Sequence, residues 1–436
     1  MTQPPARVPG HLPSRIPVVV VGAGQAGLAA AHELVHRGLV PGTDFLILDA
    51  DTGPGGAWQH RWDSLTLGRA HGIADLPGLK MERPDPQIPA SRLVADYYRR
   101  YEETFSLRVV RPVRVISVHD TGDTGDTGGA DGGSHSGELE LTVLCGGNGG
   151  NGDSGDSGDS GDSGNEAGGI CGTLRTRILV NATGTWTHPY IPYVPGIADF
   201  TGRQLHTVDY VRSEDFAGQK VLVVGGGLSA VQFLLELNRP GSARETVWAT
   251  RRPPNFTRTD FDQRWGYGVE QRVREATFNG RRPASVVRNT GIPPRPDYLD
   301  AVDTGILVSH GMFSRITAHA ATWGAPSDSA LKDAAPLPDG SSPLARPDSW
   351  KPFPPGHSED VDAIFWNTGF RPALDHLAPL HLREPGGGIR MADEVRVAKD
   401  PRVLLVGYGS TASTVGANRA GRLAGRAAAR LLDSQP

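Results

Sequence analysis

Two glycine turns constrain this chain more than any other feature. Each is entered from a run of valines and left by an apolar helix. The first lies in IPVVVVGAGQAGLAAAHELVHRG and the second in KVLVVGGGLSAVQFLLELN. Val18 to Val21 reads as a buried strand. Leu28, Ala31, Leu34 and Val35 then recur at helical spacing, and Gly38 suits the helix C-cap. In the second unit the strand is Val221 to Val224, and the stripe is Leu228, Val231, Leu234 and Leu235. A third such start, RVLLVGYGSTASTVGANRAGRLAGRAAARLL, closes the sequence. There Ala420, Leu423, Ala424, Ala427 and Leu431 face one way and Arg422, Arg426 and Arg430 another, which makes an amphipathic surface helix. The expected class is α/β.

The glycine spacing gives these turns a ligand. Gly22, Gly24 and Gly27 form GxGxxG around Gln25 and Ala26. The first glycine permits a tight turn, the second lets the backbone approach a pyrophosphate, and the third allows close packing of helix on strand. A second strand, Phe45 to Leu48, ends in Asp49, whose carboxylate can accept hydrogen bonds from a ribose hydroxyl pair. The second turn carries Gly225, Gly227 and Ala230, with Leu228 and Ser229 opening its helix. Asp49 stands 27 positions after Gly22 (49 − 22), and the same step from Gly225 reaches Arg252, preceded by Thr250 and Arg251. A carboxylate there would repel a 2′-phosphate, whereas a guanidinium grips it in bidentate fashion. The first site is therefore expected to take FAD and the second NADPH. Two dinucleotides in one chain imply hydride passing from nicotinamide to flavin.

The rest of the chain excludes other classes. With 436 residues and a formal charge of -4, it shows no basic footprint for nucleic acid. No apolar run reaches a membrane span, and the first residues lack the apolar core of a secretory signal, so a cytoplasmic location is expected. The only two cysteines, Cys145 and Cys171, do not form CxxC, which rules out a dithiol active site of that kind. Each borders a low-complexity block, from about 120 to 169, holding GDTGDTGG, GGNGGNG and four GDS units. Calcium-binding nonapeptides need an apolar residue that GDS lacks, so a flexible loop is expected there and no metal. Flanking strands are expected over Leu107 to Ser117, Glu138 to Leu144 and Thr173 to Val180.

Further motifs follow in order. GPGGAWQHRWDSLTL places Gly55, Gly56 and Trp58 as GGxW; NATGTW spans Asn181 to Trp186; and Phe200, Gly202, His206 and Tyr210 fit F-x-G-x-x-x-H-x-x-x-Y. DAIFWNTGFRP supplies Asn367, Thr368 and Gly369. In this set the chain resembles the flavin-containing monooxygenases, the class B group that includes the plant auxin-biosynthesis enzymes and the Baeyer–Villiger enzymes. Tyr210, where the Baeyer–Villiger branch usually has Trp, favours the N- and S-oxygenating branch.

The resemblance implies a glutathione-reductase-like arrangement of two Rossmann-like domains. The FAD domain would comprise 1–213 and 346–436, with an NADP domain at 214–345 between them. It implies that NADPH reduces FAD and that oxygen forms a C4a-(hydro)peroxyflavin, which oxygenates a small substrate at N, S or a carbonyl. Water must be kept from that site. The FAD contacts implied are Gly22, Gly24, Gln25, Ala26, Gly27, Asp49, Gly56, Ala57, Trp58, Val113, Thr183, Gly184, Gly409 and Ser413. The last of these sits where a helix N-terminus would face the flavin pyrimidine. His206 is implied either as a hinge that couples NADP binding to flavin position or as a structural linker. Gly68, with His71 nearby, stands where animal members carry an Asn that contacts NADP. This leaves open an NADPH oxidase or reductase without oxygen transfer, and also a non-catalytic redox sensor. Trp265 and Tyr267 show no readable motif. Trp248, Trp323, Trp350 and Trp366 serve equally well as core or as pocket wall.

Overall fold

The strand that feeds the first glycine turn is sealed on both edges and both faces, which is what its unbroken apolar run requires. In the computed structural model, β1 (Arg15–Val21) pairs in parallel with β2 (Phe45–Leu48) and with β5 (Ile170–Asn181). Residues 12–70, 73–83, 85–122, 137–146, 169–258, 273–283, 291–412 and 414–434 are described. Val18 and Val20 enter one apolar cluster, while Ile16, Val19 and Val21 enter another on the opposite face. That alternation is the two-residue period of a strand.

β5 is long enough to serve two partners on its far edge. Its last residues pair in parallel with β13 (Val403–Leu405), and its first half pairs antiparallel with β4 (Leu139–Cys145), which pairs in turn with β3 (Val113–Asp120). The low-complexity residues 123–136 and 147–168 lie outside the described residues, on either side of β4. β3 begins later than the apolar pattern suggests. Pro112 has no N–H to give a ladder, and Val110 pairs instead with β2 through its N–H to the Ile47 carbonyl at 2.9 Å. Cys145 and Cys171 form a disulfide across β4 and β5, which the spacing alone did not suggest.

Arg402 closes this end of the sheet. Its guanidinium meets Asp400 at 2.8 Å and Asp120 at 2.6 Å, and donates to the Gly137 carbonyl at 2.9 Å. One buried side chain thus ties both ends of the 123–136 stretch to the entry of β13. Removing one partner of a buried ion pair strands the other charge, at a cost of about 3–5 kcal/mol. Arg402→Leu is accordingly expected to lower unfolding stability by that amount in urea titrations, and Asp400→Asn by less, because Asp120 still faces the guanidinium.

Helix α1 (Gln25–His36) packs on the sheet beside the C-terminal helix (Thr414–Ser434). The contact is a backbone approach rather than an interlocking of large side chains. A Cβ on Gly421 would stand 2.5 Å from the Ala26 carbonyl, and one on Gly425 would stand 2.8 Å from the Ala30 carbonyl. Small residues Ala26, Ala29 and Ala30 face them. The seam is fastened by Glu33, which is 5% exposed and bonds Arg426 at 2.9 Å and Arg37 at 3.1 Å. Burial works against the Glu33 charge, but the two arginines hold its pKa below the ordinary value. The folded pKa therefore lies below the unfolded one, so the group stabilises at neutral pH and that contribution is lost as pH falls through the folded value. Glu33→Gln should flatten the acid side of the stability–pH curve while leaving its shape near pH 8 unchanged.

A separate sheet carries the second glycine turn. Its order is β6 (Arg203–His206), β12 (Ala363–Trp366), β7 (Lys220–Val224) and β8 (Glu245–Ala249), all parallel, with helix α3 (Leu228–Leu237) following β7. A small antiparallel sheet of β9 (Phe313–Ile316), β10 (Ala320–Trp323) and β11 (Ser358–Asp360) adds to it. The chain divides into two compact units, one of 1–187, 270–283 and 372–436, the other of 188–269 and 284–371. These boundaries differ from the expected 213 and 345 for two reasons. β6 pairs with β12, which draws both into the second unit. Thr277 and Arg281 bond Met391 and Gly387, which returns 270–283 to the first unit.

Candidate functional site

The first turn is crowded on one side and open on the other. A Cβ on Gly22 (φ +98°) would lie 2.5 Å from the Ala182 carbonyl, and one on Gly27 would lie 1.8 Å from the Gly22 carbonyl. Both glycines are therefore demanded by the protein itself. A Cβ on Gly24 would meet nothing within 4 Å. Gly24 is the N-cap of α1 with no side-chain cap, and Leu28 N–H makes the first bond back to its carbonyl. The Gln25, Ala26 and Gly27 amides thus head an uncapped helix over open space, the arrangement that holds a diphosphate. The Gln25 side chain is committed elsewhere: it accepts from Tyr98, donates to the Ala74 carbonyl and bonds Asn418.

Asp49 lies under this turn, 7% exposed, and an Ala23 backbone hydrogen bond helps to hold its charge. Burial raises its pKa and Arg111 opposes that rise. Arg111 Nε bonds Asp49 at 2.8 Å, and its two other nitrogens grip Glu102 at 2.7 and 2.8 Å. Sequence reading missed Arg111 and Glu102, since no motif marks them. Val113 donates its N–H to the Asp49 carbonyl at 2.8 Å, so it positions the strand end.

The GGxW segment comes to the same place. A Cβ on Gly56 would stand 2.9 Å from Gly24 Cα, so this turn rests against the cradle. Ala57 is exposed and Trp58 is half-buried against the first core. At the end of β5, Thr183 donates to the Ala373 carbonyl at 2.6 Å, and Gly184 (φ +64°) accepts from Ala373 N–H. Gly407 and Gly409 turn the chain with positive φ before the C-terminal helix, and a Cβ on Gly409 would meet Thr277 at 2.6 Å. Ser413, His71, Trp265 and Tyr267 lie outside the described residues. Gly68 is exposed and bonds the Pro86 carbonyl through its N–H. The disulfide stands at the other end of β5 from this site. Cys171 and Asn181 are 10 residues apart (181 − 171) on one strand, which at 3.3 Å per residue is roughly 30 Å.

The second unit repeats the device. A Cβ on Gly225 (φ +138°) would lie 2.2 Å from the Asn367 carbonyl, and Asn367 N–H bonds Val224 at 2.7 Å. In the first unit Ala182 does the same for Gly22 and Val21. The two N-x-T-G-like turns are thus equivalent backstops. Gly227 caps α3 without a side-chain bond, Leu228 and Ser229 begin the helix half-buried, and Ala230 is fully buried.

The two arginines after β8 separate in role. Arg251 is exposed and lines a cavity of about 200 Å³ with Phe313, Ser314, Trp323, Trp350 and Phe353. Arg252, favoured by spacing, lies 3.4 Å from Asp333, and its Nε is buried. The Thr250 hydroxyl is held by Ser309 and the Arg252 carbonyl. Trp248 and Trp366 are core residues, Trp323 is buried and also lines the cavity, and Trp350 is half-buried on the cavity wall.

The F-x-G-x-x-x-H-x-x-x-Y segment packs inside the second unit. Phe200 is buried, and a Cβ on Gly202 would lie 2.4 Å from the Asp362 carbonyl. His206 is 2% exposed; burial lowers its pKa, so the ring is neutral, and Nε2 donates to the Gly369 carbonyl at 3.0 Å. Tyr210 donates to Glu236 at 2.7 Å and stacks on Phe365. These contacts tie the segment around β6 to the residues flanking β12 and to α3.

Comparison with known proteins agrees with both halves. The family model for NAD(P)-binding Rossmann-like domains matches residues 20–94, and that for pyridine nucleotide-disulphide oxidoreductases matches 170–290. The indole-3-pyruvate monooxygenase YUCCA1 of Oryza sativa subsp. japonica is 31% identical over 52% of this chain and 47% of its own. A Baeyer-Villiger monooxygenase of Streptomyces coelicolor is 27% identical over 50% and 34%. The chain spans about half the length, or less, of the curated relatives it matches. A solved flavin-containing monooxygenase from Stenotrophomonas maltophilia is 29% identical, with TM-score 0.66, over 96% of this chain and 100% of that one. A bacillithiol disulfide reductase from Bacillus cereus, 18% identical with TM-score 0.59, shares the fold. Over nearly its whole length the chain is similar to a solved flavin-containing monooxygenase, and the comparisons support a flavoprotein oxidoreductase with FAD and NADPH as cofactors.

Proposed function

We propose that this chain is an NADPH-dependent flavoprotein monooxygenase acting on a small organic substrate and oxygen. The observation that carries the reading is the pair of glycine cradles that differ at the far strand end, one in buried Asp49 and the other in Arg251 and Arg252. The open face of Gly24 fits a diphosphate, and Asp49, charge-compensated by Arg111, fits an unphosphorylated ribose. Bound FAD would supply the redox chemistry, taking hydride from NADPH and activating oxygen. The protein would bind and orient: the α1 amides would hold the diphosphate, Trp58 would wall the flavin, and Thr183 and Gly184 would fix the backbone beside it. Gly407 and Gly409 precede the C-terminal helix, whose dipole would favour negative charge on the flavin. Arg251 would receive the 2′-phosphate at the second cradle.

One observation favours a second reading. Gly68 offers no side chain where animal members use Asn, so an NADPH oxidase that releases peroxide is the alternative. Stopped-flow mixing of reduced holoprotein with air, with peroxide measured alongside substrate oxygenation, separates the two. Stoichiometric peroxide at every substrate tried would overturn oxygen transfer. No helix among the described residues is long and apolar enough to cross a membrane. A cytoplasmic location stays part of the reading. The Cys145–Cys171 disulfide, more usual in oxidising compartments, is what fractionation must weigh against it.

A further inference from the structure

Residues 273–283 come from the middle of the second unit's sequence and help to build the first. Residues 188–269 and 284–371 make up the second unit, whereas this stretch belongs to the other one. It docks there by backbone approach. A Cβ on Gly388 would lie 2.4 Å from the Arg281 backbone, and Arg281 bridges Gly387 in antiparallel fashion. Met391 donates its N–H to the Thr277 carbonyl at 3.2 Å. Arg274 lies 3.5 Å from Glu394, which also bonds Arg419 of the C-terminal helix at 3.0 Å.

Thr277, on the short helix 273–278, is 3% exposed and packs against the turn that precedes the C-terminal helix. A Cβ on Gly409 would stand 2.6 Å from Thr277 Cγ2, but 3.6 Å from its Cβ and its Oγ1. The Thr277 methyl therefore fills the space that a side chain at 409 would need. Its hydroxyl serves elsewhere, donating to the Arg274 carbonyl at 2.9 Å. The two branches of one threonine thus have separate partners. The rest of the turn is held by hydrogen bonds. Thr411 Oγ1 accepts from Tyr408 N–H at 3.1 Å and donates to the Tyr408 carbonyl at 2.8 Å, and Tyr408 Oη accepts from Ile389 N–H at 2.9 Å. Gly409 is left-handed (φ +62°), a conformation that glycine takes without strain. It has no side chain to anchor it, so its position depends on what packs against it. A gap of even one methyl forfeits such contacts.

We propose that Thr277 is a positioning residue for the flavin: its methyl fixes the Gly409 turn, and the turn fixes the backbone N–H groups that would meet the flavin's pyrimidine edge. This rests on the reading that the C-terminal helix begins at that edge. Reduced flavin carries negative charge there, which the N–H groups of a helix start favour. A turn free to back away favours the reduced form less, so the bound flavin becomes harder to reduce. Thr277 acts through Gly409, and its methyl rather than its hydroxyl is the working part.

The test compares Thr277→Ser, which loses the methyl and keeps the hydroxyl, with Thr277→Val, which does the reverse. The midpoint potential of bound FAD is measured anaerobically against a reference dye, together with FAD affinity and unfolding of the apoprotein. Thr277→Ser should weaken the preference for reduced flavin roughly tenfold, which for a two-electron couple is a potential about 30 mV more negative. Thr277→Val should lose stability but keep the potential. A merely structural threonine would change stability in both variants and potential in neither. Gly409→Ala should lower FAD affinity, and adding Thr277→Ser should restore part of that loss by making room for the new Cβ. An unmoved potential in Thr277→Ser, an equal shift in both Thr277 variants, or strictly additive effects with Gly409→Ala overturns the proposal. Where Thr277→Ser does not load FAD, Thr277→Val decides: an unmoved potential upholds the methyl's part and a shifted one overturns it. A chain that takes no FAD sinks the flavoprotein reading instead. A Gly409→Ala protein with unchanged FAD affinity and potential removes the turn from the flavin, and the proposal falls with it. A potential that moves with Gly409→Ala but not with Thr277→Ser sinks only this inference.

Discussion

Gly24→Ala is expected to purify as a folded protein that has lost its colour. Its backbone is already extended (φ -81°, ψ -168°), which alanine adopts freely, and the added methyl meets no protein atom within 4 Å. Thermal unfolding of the apoprotein should therefore match the unmodified chain within about half a kcal/mol, as for a substitution that breaks no contact. The methyl nevertheless projects where a diphosphate would approach the α1 amides. Those charge-assisted bonds are each worth about 1.5–3 kcal/mol, so FAD affinity should fall roughly 100-fold. Gly27→Ala makes the contrast. Its Cβ would sit 1.8 Å from the Gly22 carbonyl, so the turn must open before the protein can fold. That variant should lose stability and FAD together. Calorimetry on apoprotein and flavin fluorescence on holoprotein read the two effects apart. A Gly24→Ala protein that keeps its yellow colour would remove the first cradle from the FAD site.

The glycine pair shows which parts of this molecule sequence could reveal. Strand, turn and helix at 16–37 and 220–237 were readable because periodicity and glycine spacing are local, and a turn that must approach a ligand leaves few residue choices. What was not readable depends on chain segments far apart in sequence. Arg111 compensates Asp49 across 62 residues, and Arg402 reaches Asp120 across 282. Nothing at either end announces the other. Gly421 and Gly425 read as interruptions in an alanine-rich helix, but they are the points where it touches α1. Their four-residue spacing was the available signal. The domain limits at 213 and 345 followed motif positions, whereas the observed limits follow strand pairing, which no local window contains.

At the second cradle, Arg251→Ala should cost far more NADPH affinity than Arg252→Ala, the reverse of what spacing from the glycines suggests. Arg252 faces Asp333 at 3.4 Å, so part of its charge is already answered within the unit. Arg251 is exposed at the edge of an aromatic cavity of about 200 Å³ and has room to turn toward a phosphate beside a stacked base. Loss of its charge-assisted bonds, about 1.5–3 kcal/mol, corresponds to a Kd roughly 10- to 100-fold higher for NADPH. NADH lacks the 2′-phosphate and should change little. Arg252→Ala should cost only about threefold, since a half-exposed pair already partly compensated by Asp333 contributes about 1 kcal/mol or less. Asp333→Asn should move the other way. It removes a carboxylate from beside an anionic ligand and releases Arg252, so NADPH should bind a few-fold tighter, with the gain shrinking as salt rises. Anaerobic flavin reduction at varied NADPH and NADH gives all these affinities from one measurement. Equal losses of NADPH and NADH in Arg251→Ala would detach the arginine from the 2′-phosphate. A larger loss in Arg252→Ala than in Arg251→Ala would mean that Arg252 leaves Asp333 when the nucleotide arrives.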